Sequence, residues 1–211
     1  MPTPPAQPTH PNPPPTHSSP PAQPAHANPP THPSPLTPPR KLLLGVSGSV
    51  AALGLPGYLY AFRAAGVSEI IAVVTTSALQ FLPVTGLAAL CDRVCTDGDS
   101  SLGHVALARW AEHTLVLPAT AHLLGCLANG LAPSLLATTL LAVDGPVTLA
   151  PAMNAAMWRR PAVRRNVATL RADGHQVIDP VPGAVYEVAS RAVVAGIAVP
   201  PPAVVLERIS A

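Results

Sequence analysis

The amino-acid sequence predicts an α/β protein in which a parallel β-sheet is covered by helices on both faces. Short apolar segments typical of strands alternate along the chain with Ala- and Leu-rich segments of helical pattern. The hydrophobic share is 48% while aromatic residues make up 3%, so the core must be built from Val, Leu and Ala, which suits strands buried on both faces. Glycine or hydroxyl side chains follow several predicted strands, and ligands of such folds bind beyond the carboxyl ends of the strands.

The first 39 residues differ in composition from the rest of the chain. They hold 17 of the 29 prolines and no Lys, Arg, Asp or Glu. Such a segment cannot bury enough apolar surface to offset its ordering entropy, so residues 1–39 are expected to form a disordered, Pro-rich tail. Residues 40–211 are expected to form a single domain.

The composition argues against several classes of protein. A formal net charge of +2 is too small to indicate nucleic-acid binding. No unbroken apolar run approaches the roughly 18 residues of a membrane-spanning helix, so no membrane association is expected. The three cysteines (Cys91, Cys95 and Cys126) lack the spacing of metal ligands. Reduced thiols in a cytoplasmic protein without a metal are therefore the expectation.

The first predicted strand, residues 41–47, runs into a turn at Gly48 and Ser49 and then into a helical pattern. A strand, a glycine turn and a helix start direct backbone N–H groups at an anion, so a phosphate is expected here. The Gly-x-x-Gly spacing from Gly45 to Gly48 is not the dinucleotide fingerprint, and a plain tight turn explains it equally well.

The second predicted strand, residues 69–74, ends in the hydroxyl-bearing residues Thr75, Thr76 and Ser77. These hydroxyls could bind the same phosphate or cap the next helix. Residues 91–103 are rich in Asp, Gly and Ser, which predicts a mobile surface loop.

Helix-breaking residues predict where two helices begin and end. Pro56 and Gly57 stand inside a helical pattern, which predicts a kink or a late helix start. Gly130 follows a helical pattern after residues 118–120 and is a favourable residue just past a helix end.

His104 begins a helical run, and the strand predicted at residues 114–117 follows it. A lone His is more often structural than catalytic. His113 and His122 are expected to be surface or packing residues.

A dense block of distinctive residues follows the strand predicted at residues 146–149. Its members are Pro151, Met153, Asn154, Met157 and Trp158. An Asn at the end of a strand has an acceptor and two donor hydrogens, so it could hold a carboxylate. Asn is also among the favoured N-cap residues, so capping of the next helix is the alternative.

These five residues complete the Pro-x-Met-Asn-x-x-Met-Trp signature of the homo-oligomeric flavin-containing cysteine decarboxylases, which the chain resembles over roughly residues 40–190. That family joins the phosphopantothenoylcysteine decarboxylases of coenzyme A synthesis to the peptidyl-cysteine decarboxylases that modify lantibiotic-type peptides. The resemblance implies a Rossmann-like (flavodoxin-like) fold and FMN bound at subunit contacts. It also implies a homo-oligomer, either a trimer or a dodecamer of trimers.

The resemblance assigns roles to several segments. The run that starts at His104 is similar to the family segment whose leading His is the catalytic base, and Asn154 would hold the substrate carboxylate. Residues 118–122 resemble the family's Pro-Ala-Ser-Ala-Asn-Thr flavin segment, with Thr120 in place of Ser and His122 in place of Asn. The expected FMN contacts are Gly45, Ser47, Gly48, Ser49, Thr76, Ser77, Pro118, Ala119, Thr120 and Met153. The expected substrate contacts are Asn154, Met157, Tyr186, Glu187 and Ser190.

The two branches of the family differ in a late segment, which here is residues 184–191. Enzymes of coenzyme A synthesis carry a Cys there that re-reduces the product, whereas this chain has no Cys after Cys126. The segment resembles instead the aromatic-Glu-aliphatic-x-Ser segment of the peptide-modifying branch, where a flexible clamp covers the end of the substrate. An edge hairpin over residues 181–199 is the structural alternative.

The predicted function is therefore oxidative decarboxylation of the C-terminal Cys of a ribosomally made precursor peptide to an enethiol, the step that leads to aminovinyl-cysteine. A phosphopantothenoylcysteine decarboxylase is the first alternative, and the missing Cys counts against it. A flavin prenyltransferase shares the fold but should lack the signature. A flavin-binding regulatory subunit without catalysis is the third, and the presence of both His104 and Asn154 argues against it.

A group of arginines follows the signature at helical spacing. Its members are Arg159, Arg160, Arg164, Arg165 and Arg171. They lie opposite apolar side chains, so the pattern predicts mainly a solvated helix face. Contact with an acidic peptide is the sharper alternative.

Overall fold

The computed structural model describes residues 1–3, 37–99 and 103–210, so most of the predicted tail lies outside the described residues. Within them, six strands form one parallel sheet in the order β3-β2-β1-β4-β5-β6. These strands are β1 (Lys41–Val46), β2 (Glu69–Val74), β3 (Arg93–Thr96), β4 (His113–Ala119), β5 (Thr148–Pro151) and β6 (Gln176–Val177).

Helices connect the strands. They are α1 (Leu55–Ala65), α2 (Val84–Ala88), α3 (His104–Trp110), α4 (Ala121–Ala128), α5 (Leu135–Ala142), α6 (Ala155–Arg159), α7 (Pro161–Ala172) and α8 (Pro202–Ile209). Short 3₁₀ helices lie at Val50–Gly54 and Ala78–Gln80.

The strand order reverses once. From β1 the chain steps to β2 and then β3 on one side, and β4 returns to the other side of β1, where β5 and β6 follow. Each neighbouring pair is parallel. The predicted Rossmann-like (flavodoxin-like) architecture is confirmed, and its ligand position is the crevice at the carboxyl ends of β1 and β4.

The central strand is buried on both faces. Leu42 and Leu44 belong to the apolar cluster that contains residues of α1 and α8, whereas Leu43 belongs to the cluster that contains residues of α4, α5 and α7. All three leucines are fully buried. Because successive side chains point to opposite faces of a sheet, a strand covered on both sides must be apolar at every position.

The helix-breaking residues act as predicted. A 3₁₀ helix at Val50–Gly54 precedes α1, which starts only at Leu55 with Pro56 in its first turn. Helix α4 ends at Ala128, and Gly130 beyond it has φ +64°.

The prediction of a loop over residues 91–103 is wrong in part. Residues Arg93–Thr96 form β3, which pairs with β2 from Ile71↔Arg93 to Val74↔Thr96. Cys95 in this strand is fully buried. A four-residue edge strand that begins with a charged side chain is too short for its alternation to be read from sequence. Ser100, Ser101 and Leu102 lie outside the described residues.

The hairpin alternative for the late segment is present in the structure. Strands β7 (Val181–Glu187) and β8 (Ala192–Ala198) pair antiparallel as a separate two-stranded sheet, not at the edge of the main sheet. Strand β7 is largely exposed and β8 is partly exposed, and Tyr186 and Val193 form an exposed cross-strand pair.

No helix in residues 1–3, 37–99 and 103–210 is long and apolar enough to cross a membrane.

His113, the first residue of β4, should make the stability of the fold depend on pH. The imidazole Nε2 of His113 lies 2.9 Å from Thr148 Oγ1, and burial lowers the pKa of His113 below 6.5. Just below pH 6.5 the unfolded chain therefore binds more protons than the folded chain. The contribution of neutral His113 to the free energy of unfolding is present above about pH 6.5 and is lost as the pH falls through the lower pKa of the folded state. We expect His113→Gln to reduce the loss of Tm between pH 7.5 and 5, measured by circular dichroism. The same change at the exposed His122 is the matched control, and a loss of Tm that His113→Gln leaves intact would contradict the assignment.

Candidate active site

The Ser47 hydroxyl joins the carboxyl ends of β1 and β4 at the reversal point of the sheet. It donates to the Pro118 carbonyl at 2.8 Å and accepts from the Thr120 backbone N–H at 2.9 Å. Ser47 is 2% exposed, and its own N–H donates to Pro118 at 3.3 Å. This arrangement places Ser47 beneath the crevice, where it holds the two loops together.

The loop after β2 is attached to the loop after β1. The Thr75 backbone N–H donates to the Val46 carbonyl at 3.0 Å, and the Thr75 hydroxyl donates to the same oxygen at 3.3 Å. A Cβ on Gly48 would lie 2.6 Å from Ser77 Cβ and 3.0 Å from Ser77 carbonyl carbon. Only glycine allows this approach of the two loops.

The loop after β5 is attached to the loop after β4. The Ala152 backbone N–H donates to the Ala119 carbonyl at 2.9 Å, next to the Ala119↔Pro151 pairing. The loops after β2, β1, β4 and β5 are thus connected in sequence along one edge. Most predicted FMN contacts lie on these loops.

Asn154 follows the β5 loop and caps α6. Its Oδ1 accepts from the Met157 N–H at 2.8 Å, so the capping alternative holds for the oxygen. Its Nδ2 has no hydrogen-bond partner among the described residues, and the side chain is exposed. The cap fixes the orientation of the amide while both of its hydrogens stay available to a carboxylate.

Asp97 is a site-edge residue that the sequence interpretation missed. Its two oxygens accept from the Thr76 hydroxyl at 2.9 Å and from the Leu135 N–H at 2.8 Å. Since a hydroxyl has a single hydrogen, Thr76 has none left for a phosphate in this arrangement. Its position directly after β3 is the available signal, because side chains that follow parallel strands lie at the ligand-binding edge of the sheet.

The edge has the donors and the access that a flavin phosphate needs. Ser49, Ser77 and Thr120 place hydroxyls around the crevice, and Gly48 has no side chain that would keep a ligand from the backbone. Two predicted contacts have other positions: Ser47 is buried under the loops, and Gly45 lies within β1, where an added Cβ would be 2.7 Å from Leu136 Cδ1. Gly45 is therefore a packing position.

His104 and the late segment are not joined to Asn154 by any hydrogen bond among the described residues. His104 is the first residue of α3 and is exposed. Tyr186 and Glu187 lie at the end of β7, and Ser190 lies in the hairpin turn. Most of the predicted FMN contacts thus lie on connected loops of one chain, whereas no hydrogen bond among the described residues links the predicted catalytic pair.

One cleft within the described residues lies at the opposite edge of the sheet. It has a volume of about 580 Å³ and is lined by residues that include Arg109, His113 and Asp144. It lies at the amino end of β4, whereas folds of this topology bind ligands beyond the carboxyl ends. We therefore assign the candidate site to the opposite, carboxyl edge.

The contact between Gly48 and Ser77 generates a stability prediction. Gly48→Ala should lower the free energy of unfolding by about 1–3 kcal/mol, because the new methyl group must push the two loops apart. The double variant Gly48→Ala/Ser77→Gly should recover part of the loss, since the Cβ of Ser77 is then absent. Gly57→Ala, in helix α1 with open space around it, is the matched control and should not destabilise. Denaturant unfolding measures all three, and an unaffected Gly48→Ala would refute the close approach.

Comparison with known proteins finds similar sequences among decarboxylases and among enzymes of coenzyme A biosynthesis. Mersacidin decarboxylase from a Bacillus species is 39% identical over 154 residues, which are 72% of this chain and 79% of that protein. The coenzyme A biosynthesis bifunctional protein CoaBC of Bacillus subtilis is 40% identical over 150 residues, 68% of this chain but only 37% of that protein. The chain thus spans little more than a third of CoaBC.

Solved structures agree in fold. The epidermin biosynthesis protein EpiD from Staphylococcus aureus is 26% identical, with a TM-score of 0.74 over 80% of this chain and 99% of that chain. An EpiD variant in complex with the substrate peptide DSYTC is 25% identical, with a TM-score of 0.75 over 80% and 97% of the two chains.

The family model described as Flavoprotein matches residues 31–198, which is well over half of the chain. The chain therefore belongs to the flavoprotein family, and the resemblance to its flavin-containing cysteine decarboxylases is confirmed.

Proposed function

We propose that this chain catalyses the FMN-dependent oxidative decarboxylation of the C-terminal cysteine of a ribosomally made peptide. The observation that carries the proposal is Asn154, whose amide is oriented by the α6 cap at the carboxyl edge of the sheet within a complete signature. The similarity to mersacidin decarboxylase and to EpiD, which has been solved with a substrate peptide ending in Cys, supports a peptide substrate.

Asn154 would hold the terminal carboxylate of the peptide through its Nδ2 hydrogens. Its Oδ1 stays on the Met157 N–H, so the amide does not need to reorient when the substrate binds. A neutral donor suits a carboxylate that must leave as CO₂, because it positions the group without the strong attraction of a full positive charge.

His104 would take the thiol proton of the substrate as general base. An imidazole accepts a proton near neutral pH, and its exposed position at the start of α3 leaves it accessible to a peptide. Tyr186, Glu187 and Ser190 would contact the peptide from the hairpin, and Met157 would contact it beside Asn154.

FMN, once bound, would accept the hydride removed from the cysteine, which carries both electrons of the oxidation. The residues that would hold the FMN are Gly48, Ser49 and Ser77, together with Thr120 and Met153. Ser47 would position these loops from below, since its hydrogen bonds are already made within the protein.

The thiols of the described residues do not offer a proton donor for re-reducing the product. All three cysteines are buried, and burial is the main cause that raises the pKa of Cys91 to about 11. The corresponding late segment carries Tyr186 and Glu187 in an exposed hairpin and no Cys. The product would therefore leave as an enethiol. The free thiols of enzyme and substrate fit a reducing compartment, which we take to be the cytoplasm.

The mass of the product tests the proposal. A peptide ending in Cys should become lighter by about 46 Da, which is CO₂ plus the two hydrogens passed to the flavin. The reduced flavin must be reoxidised, most simply by oxygen, so turnover should stall under anaerobic conditions. The same peptide ending in Ser is the matched control and should not change. A loss of about 44 Da from phosphopantothenoylcysteine, with no change in any Cys-ended peptide, would establish the coenzyme A branch instead.

We further propose that a homo-oligomer, a trimer or an assembly of trimers, brings His104 of one subunit to Asn154 of another. The strands β3 and β5, which lead to these residues, are four strands apart in the sheet. At about 4.8 Å per strand, and with α3 packed against β1 and α5, the two loops begin on the order of 10–20 Å apart. This separation is larger than the span from the carboxylate to the thiol of one substrate cysteine, which supports a site shared between subunits.

Mixed oligomers test this arrangement. His104→Asn should reduce kcat/KM by about 10²- to 10⁴-fold, because an amide cannot accept the proton. Asn154→Asp should be similarly impaired by repulsion between two carboxylates. After unfolding and co-refolding of the two variants in equal amounts, about a quarter of the sites should combine an intact His104 with an intact Asn154, and activity should return. Flavin content by absorbance controls for refolding. Mixed oligomers as inactive as the separate variants would place both residues in one chain.

A further inference from the structure

The corner between α6 and α7 carries an exposed cluster of four arginines, named here the arginine surface: Arg159, Arg160, Arg164 and Arg165. None of them forms an ion pair with a carboxylate among the described residues. The next arginine along α7, Arg171, does pair, with Asp179 at 2.8 Å. The four positive charges of the arginine surface therefore lie close together without internal compensation.

Two features of the surrounding chain strengthen this positive charge. The sequence contains no Asp or Glu between Asp144 and Asp173. Helix α7 begins at Pro161 with no acidic residue in its first turn, so the arginines surround the positive end of the helix dipole. Cations at a helix N-terminus destabilise the helix, so a solvated helix face alone does not account for their concentration here.

The arginine surface is continuous with the candidate site. Helix α6 starts directly after Asn154 and ends at Arg159, which lies about 7 Å along the helix at about 1.5 Å per residue. The guanidinium carbon of Arg164 lies 5.7 Å from the ring centroid of Trp158, a residue of the signature. A cation over an aromatic face is held in place at the boundary between the two regions.

We propose that the arginine surface binds acidic side chains of the substrate peptide upstream of its terminal Cys; this rests on the peptide decarboxylase function proposed above. With the terminal carboxylate at Asn154, an extended peptide advances about 3.4 Å per residue, so acidic residues from about two positions before the Cys onward reach the arginine surface. The carboxylates would make charge-assisted hydrogen bonds with the guanidinium groups, and the positive field would also accelerate encounter.

Three synthetic peptides test the proposal. They share the last three residues, end in Cys, and carry Glu, Gln or Lys at the three preceding positions. We expect kcat/KM in the order Glu above Gln above Lys, with the Glu peptide about tenfold better than the Gln peptide at low salt, a difference of about 1.4 kcal/mol. The difference should be in KM and should shrink as the salt concentration rises, because screening weakens these contacts.

Charge reversal localises the effect. Arg159→Glu/Arg165→Glu leaves Arg164 on Trp158 and should lower the ratio of kcat/KM for the Glu and Gln peptides to one or below. The matched control is Arg109→Glu/Arg208→Glu, which changes the net charge equally at two exposed arginines outside the surface and should keep the preference. Flavin absorbance and circular dichroism monitor folding. If the first variant does not fold, the salt dependence of the preference in the unsubstituted protein decides.

The outcomes separate this proposal from the one on which it rests. If no Cys-ended peptide is converted by the unsubstituted enzyme, the decarboxylase function fails. If all three peptides are converted with equal kcat/KM, or if both double variants lose the preference equally, the arginine surface does not dock the substrate. Salt-sensitive binding of a short RNA without any preference among the peptides would assign the surface to nucleic acid and also overturn the proposal.

Discussion

The candidate site depends on one buried hydroxyl. Ser47 lies where the strand order reverses, and its side chain both donates to and accepts from the β4 loop. Strands β1 and β4 are neighbours in the sheet but are not consecutive in the chain, so no turn links them. A side chain with one hydrogen and two acceptor sites can satisfy both partners at once, and an unsatisfied buried group would cost about 1–3 kcal/mol. The geometry of the loops above Ser47 follows from this constraint.

How much of the fold could be predicted from the sequence depends on how completely each strand is buried. Strands β1 and β2 were found almost to the residue because burial on both faces makes them continuously apolar. The edge strand β3 was missed because only Cys95 of its four residues is fully buried and because Arg93 at its start is charged, and Asp97 was missed with it. Helices α2 and α8 were not predicted either, since α2 has only five residues after Pro83 and α8 begins in a run of three prolines.

The candidate site, like the fold, could be predicted from the sequence only in part. Glycine and hydroxyl residues at strand ends were identifiable because their types are unusual there, but sequence cannot tell which hydroxyl is buried. Ser47 and Thr76 were predicted as ligand contacts, and the structure shows their hydrogens used within the protein. His104 could be chosen only through the family resemblance, since an exposed helix-starting His has no local signature. The family and its flavin are confirmed by the comparisons, whereas the roles of individual residues stay predictions.

Contacts within one chain stabilise neither the hairpin nor the arginine surface fully. An isolated two-stranded sheet is marginally stable in water, and β7 and β8 expose Tyr186 at 49% and Val193 at 70%. Such a ribbon gains stability when an extended chain or a neighbouring subunit covers its apolar side. The arginine surface is similarly stabilised when carboxylates replace the water around its guanidinium groups. A peptide with an apolar end and acidic residues upstream would satisfy both surfaces together, so its binding energy would come largely from outside the reacting cysteine. Binding energy of that kind would hold the terminal carboxylate near Asn154, so the upstream sequence would contribute to specificity through KM rather than through the chemical step.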